Sequence, residues 1–301
     1  MSARRKSQWE KEGLSGKLFD VFNIIFITVI VLVTLYPLLY TVFASFSDAR
    51  ALLAFEGALI APLEPITLQG YELVFKNPNI ISGFINTVKL VVLGTLLGVF
   101  LTMLGAFVVT RKYFKFRKLM MKLIMVTMFF SGGMVPTYFV VRNLGLINNF
   151  WAMILPGAMG TYYLIILRTF FMSIPDSLEE SAVLDGAGDL RVLFAIYMPL
   201  STPALAVITL HYAVNYWNSW YSALLYIQDR SLYPLQMFLR EVLIQNDTSR
   251  QESAAMMVSE AYTRELVKYC TVVISTVPIL LFYPFLQKYF VKGMLIGAVK
   301  G

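Results

Sequence analysis

Hydrophobic residues in this chain gather into six long runs, roughly 21–46 ("VFNIIFITVIVLVTLYPLLYTVFASF"), 84–109, 119–141, 150–172, 201–226 and 268–290. Crossing a bilayer as a helix takes about 20 apolar residues, and each run reaches that length without an acid in its interior. Between the fourth and fifth runs the pattern changes. Residues 176–201, "DSLEESAVLDGAGDLRVLFAIYMPLS", set five acids and two glycines between strongly apolar neighbours. The pattern predicts an all-α membrane protein of six transmembrane helices with one acidic, punctuated interruption. The first run far exceeds the roughly 7–15 apolar residues of a secretory signal, and five more follow it. No period of 20–50 residues repeats, and there is no low-complexity tract.

The interruption reads as two short helices. Pro175 precedes Asp176 and Ser177, both good N-caps, and Glu179 and Glu180 fall three residues after them, as in a capping box. Gly186 and Gly188 end that helix, since glycine readily takes the left-handed conformation found there. Asp189 then caps a second helix, "LRVLFAIYM", which Pro199 stops. The expectation is a helix–glycine turn–helix elbow.

Composition agrees with a membrane protein: 58% of the 301 residues are hydrophobic and 14% charged, against roughly 45–50% and about 25% in soluble domains. The net charge of +7 would suit a nucleic-acid partner, but the placement of the basic residues decides otherwise. Arg4, Arg5, Lys6, Lys11 and Lys17 precede the first run, "RKYFKFRK" at 111–118 follows the second, and Lys288, Lys292 and Lys300 close the chain. The loops 47–83, 143–149 and 227–267 are balanced or acidic. The positive-inside rule therefore places both termini, the 111–118 loop and the elbow in the cytoplasm. The charge is an orientation signal, and nucleic acid drops out.

Catalytic chemistry has little to work with. Cys270 is the single cysteine and His211 the single histidine, so no intrachain disulfide and no cysteine metal site is expected. No phosphate loop G-x-x-x-x-G-K-[ST] appears. "GAGD" at 186–189 spells the G-x-G-D of intramembrane aspartyl proteases, which need two close, desolvated carboxylates. Asp189 lies in an aqueous, charged loop and no run offers a second aspartate.

Glu180-Ser181-Ala182, three residues, Gly186, nine residues, then Ile196, Met198 and Pro199 resemble the cytoplasmic E-A-A loop of permease subunits of bacterial ATP-binding-cassette importers. Ser181 stands for the first alanine and Met198 for the leucine of I-x-L-P. The likeness continues through "YWNSWYSALLYI", "VPILLFYPFLQKYFVKG" and "GAVKG", which are similar to the carbohydrate-uptake branch; "DRSLYPLQMFLREVLI" is similar to oligo- and polysaccharide permeases. The resemblance implies a type I importer fold: a cytoplasmic tail 1–20, a six-helix domain 21–290 with its elbow at 175–199 and an extracytoplasmic loop at 227–267, and a tail 291–301. It implies a pore subunit of the bacterial inner membrane that is not an enzyme. Its partners would be a second permease, two ATPase subunits that bind the ATP and Mg, and an extracytoplasmic solute-binding protein. Glu180, Ser181, Ala182, Asp185, Gly186, Ile196 and Pro199 would seat the elbow in an ATPase groove, with Glu180 meeting a basic residue there. As a bland alternative, Glu180 is a capping residue only.

A route for substrate is sought in the fifth run. His211, Asn215, Asn218 and Ser222 fall at i, i+4, i+7 and i+11, one face of a helix, and lipid would penalise that stripe. Trp217, Trp220 and Tyr221 suit sugar stacking, but equally an aromatic belt at the membrane interface. Lys89 near the outer end of the second run can snorkel. "GTLLG" at 94–98 is a G-x-x-x-G helix contact, and "SGGMVP" and "LPGAMG" mark kinks. The amphipathic "LYPLQMFLREVLI" suits a helix on the outer surface. Two other classes are weighed: an importer permease for a non-sugar solute, and an ion-coupled secondary transporter. The latter is opposed by spans without a carboxylate.

Overall fold

A computed structural model describes residues 14–249 and 264–281. The terminal tails, with Arg4, Arg5, Lys6 and Lys11 at one end and Lys288, Lys292, Lys300 and the rest of the sixth run at the other, lie outside the described residues. Every regular element among those described is a helix. The chain divides into two compact units, Met1–Val74 with Gln251–Val273, and Phe75–Arg250 with Ile274–Gly301.

The first unit is built on α1 (Leu14–Phe46), whose most apolar stretch is unburied. Its end carries a small core of Ala44, Leu52 and Leu59. Asp48 caps α2 (Ala49–Ala54) by accepting from the Arg50 and Ala51 amides. Ser45 Oγ lies 2.8 Å from the Tyr71 hydroxyl at the start of α3 (Gln69–Lys76), and the buried Cys270 thiol approaches the Ser45 carbonyl at 3.4 Å.

The second unit is organised around α4 (Pro78–Thr110). Asn77 caps it, accepting from the Asn79 amide, and Pro78 takes the first helical position, where its missing N–H costs nothing. Around α4 lie α5 (Arg117–Phe129), α6 (Met134–Asn143), α7 (Thr161–Phe171), the elbow helices α8 (Asp176–Leu184) and α9 (Asp189–Leu200), α10 (Thr202–Trp217), α11 (Tyr221–Tyr226) and α12 (Leu235–Ser249). A last helix, α13, covers 264–281 and crosses the boundary between the units. One core joins Leu90, Phe107, Leu167, Phe171, Leu193 and Ile208 from α4, α7, α9 and α10.

The six apolar runs are not six straight helices. Two of the described helices, Ser15–Phe46 and Pro78–Thr110, are long and apolar enough to cross a membrane alone. Three further helix pairs pass that test jointly but are bent. The third run breaks by 115° between Phe129 and Met134, where Gly133 takes φ +84°. The fourth bends by 49° between Gly157 and Thr161. Both breaks fall on the glycine-rich stretches read as kinks. The fifth run ends its main helix at Trp217 and resumes at Tyr221, and α9 meets α10 at 87°.

The segment 230–238 is pinned to α4. Asn86 Nδ2 donates to the Ser231 and Tyr233 carbonyls, at 2.7 and 3.2 Å, and Thr87 Oγ1 accepts from the Leu235 amide at 2.9 Å. This places α12, the expected amphipathic helix, with Leu235, Met237 and Phe238 buried. Lys89 is exposed on α4.

Candidate functional site: the elbow and the polar face of the fifth run

The elbow forms as a helix, a left-handed turn and a second helix. α8 ends in a paired terminal motif: the Gly186 amide donates to the Val183 carbonyl at 3.0 Å and the Ala187 amide to Ala182 at 2.9 Å. This 5→2 and 6→1 pattern needs a left-handed residue between them, and Gly186 supplies it at φ +80°. Gly188 does not: at φ −78° it is ordinary extended backbone. Gly186→Ala should therefore lower stability of the elbow by about 1–2 kcal/mol, whereas Gly188→Ala should change it little. Amide hydrogen exchange across residues 178–187 reads the difference, and equal effects of the two substitutions would contradict it.

The expected caps are absent. Pro175 is the N-cap of α8 and Gly188 of α9, neither with a side-chain bond. The acids are used differently. Glu179 pairs with the Arg111 guanidinium and accepts from the Tyr197 hydroxyl at 2.8 Å. Asp176 pairs with Lys112, and Asp189 accepts from the Tyr113 hydroxyl at 2.8 Å. The physical reason is burial. Arg111 is only 4% exposed, and a buried guanidinium without an anion costs several kcal/mol, more than the ~1 kcal/mol of a cap.

Arg111 is further held between rings, its guanidinium carbon 4.0 Å from the Phe107 centroid and 4.6 Å from that of Tyr197. Burial raises the Tyr197 phenol above its ordinary value, and burial with the Asp189 carboxylate does the same for Tyr113. Both hydroxyls thus stay protonated donors at neutral pH. The basic loop read only as an orientation signal is also the clamp on the elbow: Arg111, Lys112 and Tyr113 each hold an elbow acid. A cavity of about 580 Å³ lies between them, lined by Arg111, Arg117, Asp176, Glu179, Glu180 and Tyr197 among others. Nothing local in the sequence marks Arg111 or Tyr197, since the pairing joins residues 68 apart.

The motif residues divide by burial. Glu180, Ser181, Asp185 and Pro199 are exposed, while Ala182 and Ile196 are half-buried against the core. The tip is apolar, with Leu184 88% exposed next to the exposed Val183. In α9 a wide turn at Leu193–Tyr197 precedes Pro199, whose ring and missing N–H disturb the regular ladder.

On the fifth run, His211 and Asn215 are exposed and meet at Tyr163: Asn215 Nδ2 donates to its hydroxyl at 2.9 Å and the imidazole stacks on its ring at 5.7 Å. The four-residue stripe does not continue on one helix. Asn218 ends α10, its amide group turned back to the Val214 carbonyl, and Ser222 lies on α11, 2.7 Å from Ser219 Oγ. Helical periodicity fails there because the helix stops. Trp217 is buried, donating to the Ser275 carbonyl at 2.9 Å and packing edge-on against Phe84. Trp220 and Tyr221 are exposed. Among the described residues no group of His, Cys, Asp and Glu could hold a metal.

Residues 94–296 match the model of the binding-protein-dependent transport system inner membrane component family, and the chain belongs to that family. Among its relatives, Protein LplC of Bacillus subtilis is 42% identical over 287 residues, 95% of this chain and 96% of that one. The polygalacturonan/rhamnogalacturonan transport system permease protein YtcP of the same organism is 38% identical over 288 residues, 96% and 100% of the two chains. A chain of a bacterial ABC transporter involved in the import of the acidic polysaccharide alginate superposes with a TM-score of 0.84 at 28% identity, covering 93% of this chain and 99% of that chain.

Proposed function

We propose that this chain is one half of the pore of an ATP-driven importer of oligo- or polysaccharide. It pairs with a second permease, takes its substrate from an extracytoplasmic binding protein, and is driven by two ATPase subunits that carry the ATP and Mg. In this reading the domain 21–290 crosses the inner membrane six times with both ends cytoplasmic, between tails 1–20 and 291–301, and the loop 227–267 faces outward. The elbow, residues 175–199, seats in the ATPase.

The observation that carries the reading is the build of the elbow. Its base is bound to α4 through Arg111 and Glu179, while its tip presents Val183 and Leu184 to solvent beside Glu180. A rigid base under an exposed apolar tip is what a lever needs: a partner that grips the tip moves the span behind it. The motor's two states need only differ in their contacts with that tip. His211 and Asn215 supply hydrogen-bonding groups along the route, with Tyr163 between them.

Glu180→Lys tests the coupling role. With the tagged chain extracted in mild detergent, the second permease should still co-purify and the ATPase should be lost. Retention of the ATPase by the charge-reversed chain would reduce Glu180 to a surface acid. A chain that purifies alone and still moves solute on an ion gradient would refute the importer reading.

A further inference from the structure

The break at the end of α10 does more than interrupt a helix. It presents Trp220 and Tyr221, 37% and 48% exposed, with their rings edge-to-face at 5.6 Å. Arg240, one face of α12 away, brings its guanidinium carbon 4.9 Å from the Trp220 centroid. The acid next to it in sequence is already taken, because Glu241 pairs with Arg230 at 2.6 Å. Among the described residues Arg240 has no carboxylate partner and its one contact of this kind is the indole. Elsewhere among the described residues of this unit Arg111 and Arg230 have a carboxylate and Arg117, Arg142, Arg168 and Arg191 do not, so what sets Arg240 apart is the exposed aromatic pair it lies against.

A guanidinium laid against an aromatic ring keeps its fork of N–H donors, which matches a carboxylate in two parallel hydrogen bonds. An exposed indole and phenol beside it offer flat apolar faces, the Tyr221 hydroxyl itself already lying 2.8 Å from Met134 Sδ. A neutral sugar would use the rings and offer the guanidinium only hydroxyl acceptors, without a charge or a matching fork. A sugar with a carboxylate on its ring uses all three. Resting on the carbohydrate-importer reading above, we infer that Trp220, Tyr221 and Arg240 form a subsite for an acidic saccharide, with the ring of a uronate unit on the aromatic pair and its carboxylate on Arg240. With 227–267 on the outer side, the subsite lies at the outer mouth of the route, and Asn215 and His211 lie one to three helical turns further along α10. Arg240 then serves as the selecting charge at entry, and the neutral polar groups beyond it let the chain pass.

The test uses the full chain with its co-purifying subunits in nanodiscs, without any binding protein. The probes are trigalacturonate and trimannuronate carrying a diazirine at the reducing end, with their methyl esters and neutral galactotriose as competitors. Cross-linked peptides are mapped by mass spectrometry. The acids should label the segments around 220–221 and 240 and should compete at about tenfold lower concentration than the esters, the gain expected of one charge-assisted pairing. Arg240→Gln should bring acid and ester level; Arg240→Lys should keep part of the preference, and Trp220→Ala should weaken acid and ester alike. Equal competition by acid and ester in the native chain, or an unchanged preference in Arg240→Gln, overturns the subsite. So does loss of the second permease from Arg240→Gln, which would make Arg240 an inter-subunit contact. If galactotriose competes as well as the acids, the carbohydrate reading stands without the acidic one. If no saccharide competes, both fall.

Discussion

Arg111→Ala should free the elbow from its base. The substitution leaves the Glu179 carboxylate, which is largely covered, with the Tyr197 hydroxyl as its remaining partner. Breaking a buried pair by removing one member costs about 3–5 kcal/mol, because the survivor stays desolvated and unpaired. The guanidinium also fills the space between Phe107 and Tyr197, so its removal opens a gap in the packing as well. The expected readout is faster amide exchange over 176–184, with α4 itself protected as before, and loss of the ATPase on purification. Tyr197→Phe removes one hydrogen bond to a charged group and should show a smaller change, about 1.5–3 kcal/mol. Glu180→Gln should leave the exchange unaltered. Unchanged protection in Arg111→Ala would show that the elbow is held by its apolar contacts alone.

The second large effect lies inside the spans. A methyl group added at Gly94 would sit 2.5 Å from the Tyr216 ring, and one at Gly98 2.9 Å from Tyr212. Neither ring is free to retreat. Tyr212 is bonded at its hydroxyl to Thr102 Oγ1 at 2.7 Å and accepts from the Gly160 amide at 2.8 Å. Tyr216 is buried, its hydroxyl reaching toward the Ile154 carbonyl at 3.4 Å. Overpacking a tight contact costs about 1–3 kcal/mol per site, and valine, with two more methyls, should exceed alanine. The expected result is that Gly94→Val and Gly98→Val leave little folded protein in detergent extracts, with alanine intermediate. Gly132→Ala, where the nearest atom is 3.8 Å away, should behave as the native chain. Pairing Gly94→Val with Tyr216→Ala should restore folded protein. Native yields for both valine variants would mean that α4 and α10 separate without penalty.

Both predictions depend on contacts between residues distant in sequence, and that is where reading the sequence stopped. Gly94 and Gly98 were legible as a close helix contact, but not the tyrosines that fill it. The elbow was legible as helix, glycine turn and helix, because Gly186 and Pro199 act through the backbone of their immediate neighbours. Its acids were assigned to caps, the only partners visible at that range. The decision between a cap and a buried arginine is made by desolvation, which depends on what lies above the site. The His211–Ser222 stripe assumed an unbroken helix, and the break after Trp217 cut it.

The sequence by itself determined the class of protein: its long apolar runs are those of a membrane protein, and the elbow resembles that of importer permeases, the family to which the chain belongs. The apolar runs and the helix–turn–helix form of the elbow follow from composition and local backbone preference, which need no partner to act, and the permease reading follows from the resemblance. Only the tertiary structure decided that the third and fourth runs bend, that Glu179 turns inward while Glu180 stays exposed, and that Trp220 and Arg240 meet. Each of those depends on which surfaces are buried together, and burial sets the energy of a charge or a ring far more than its neighbours in the chain do.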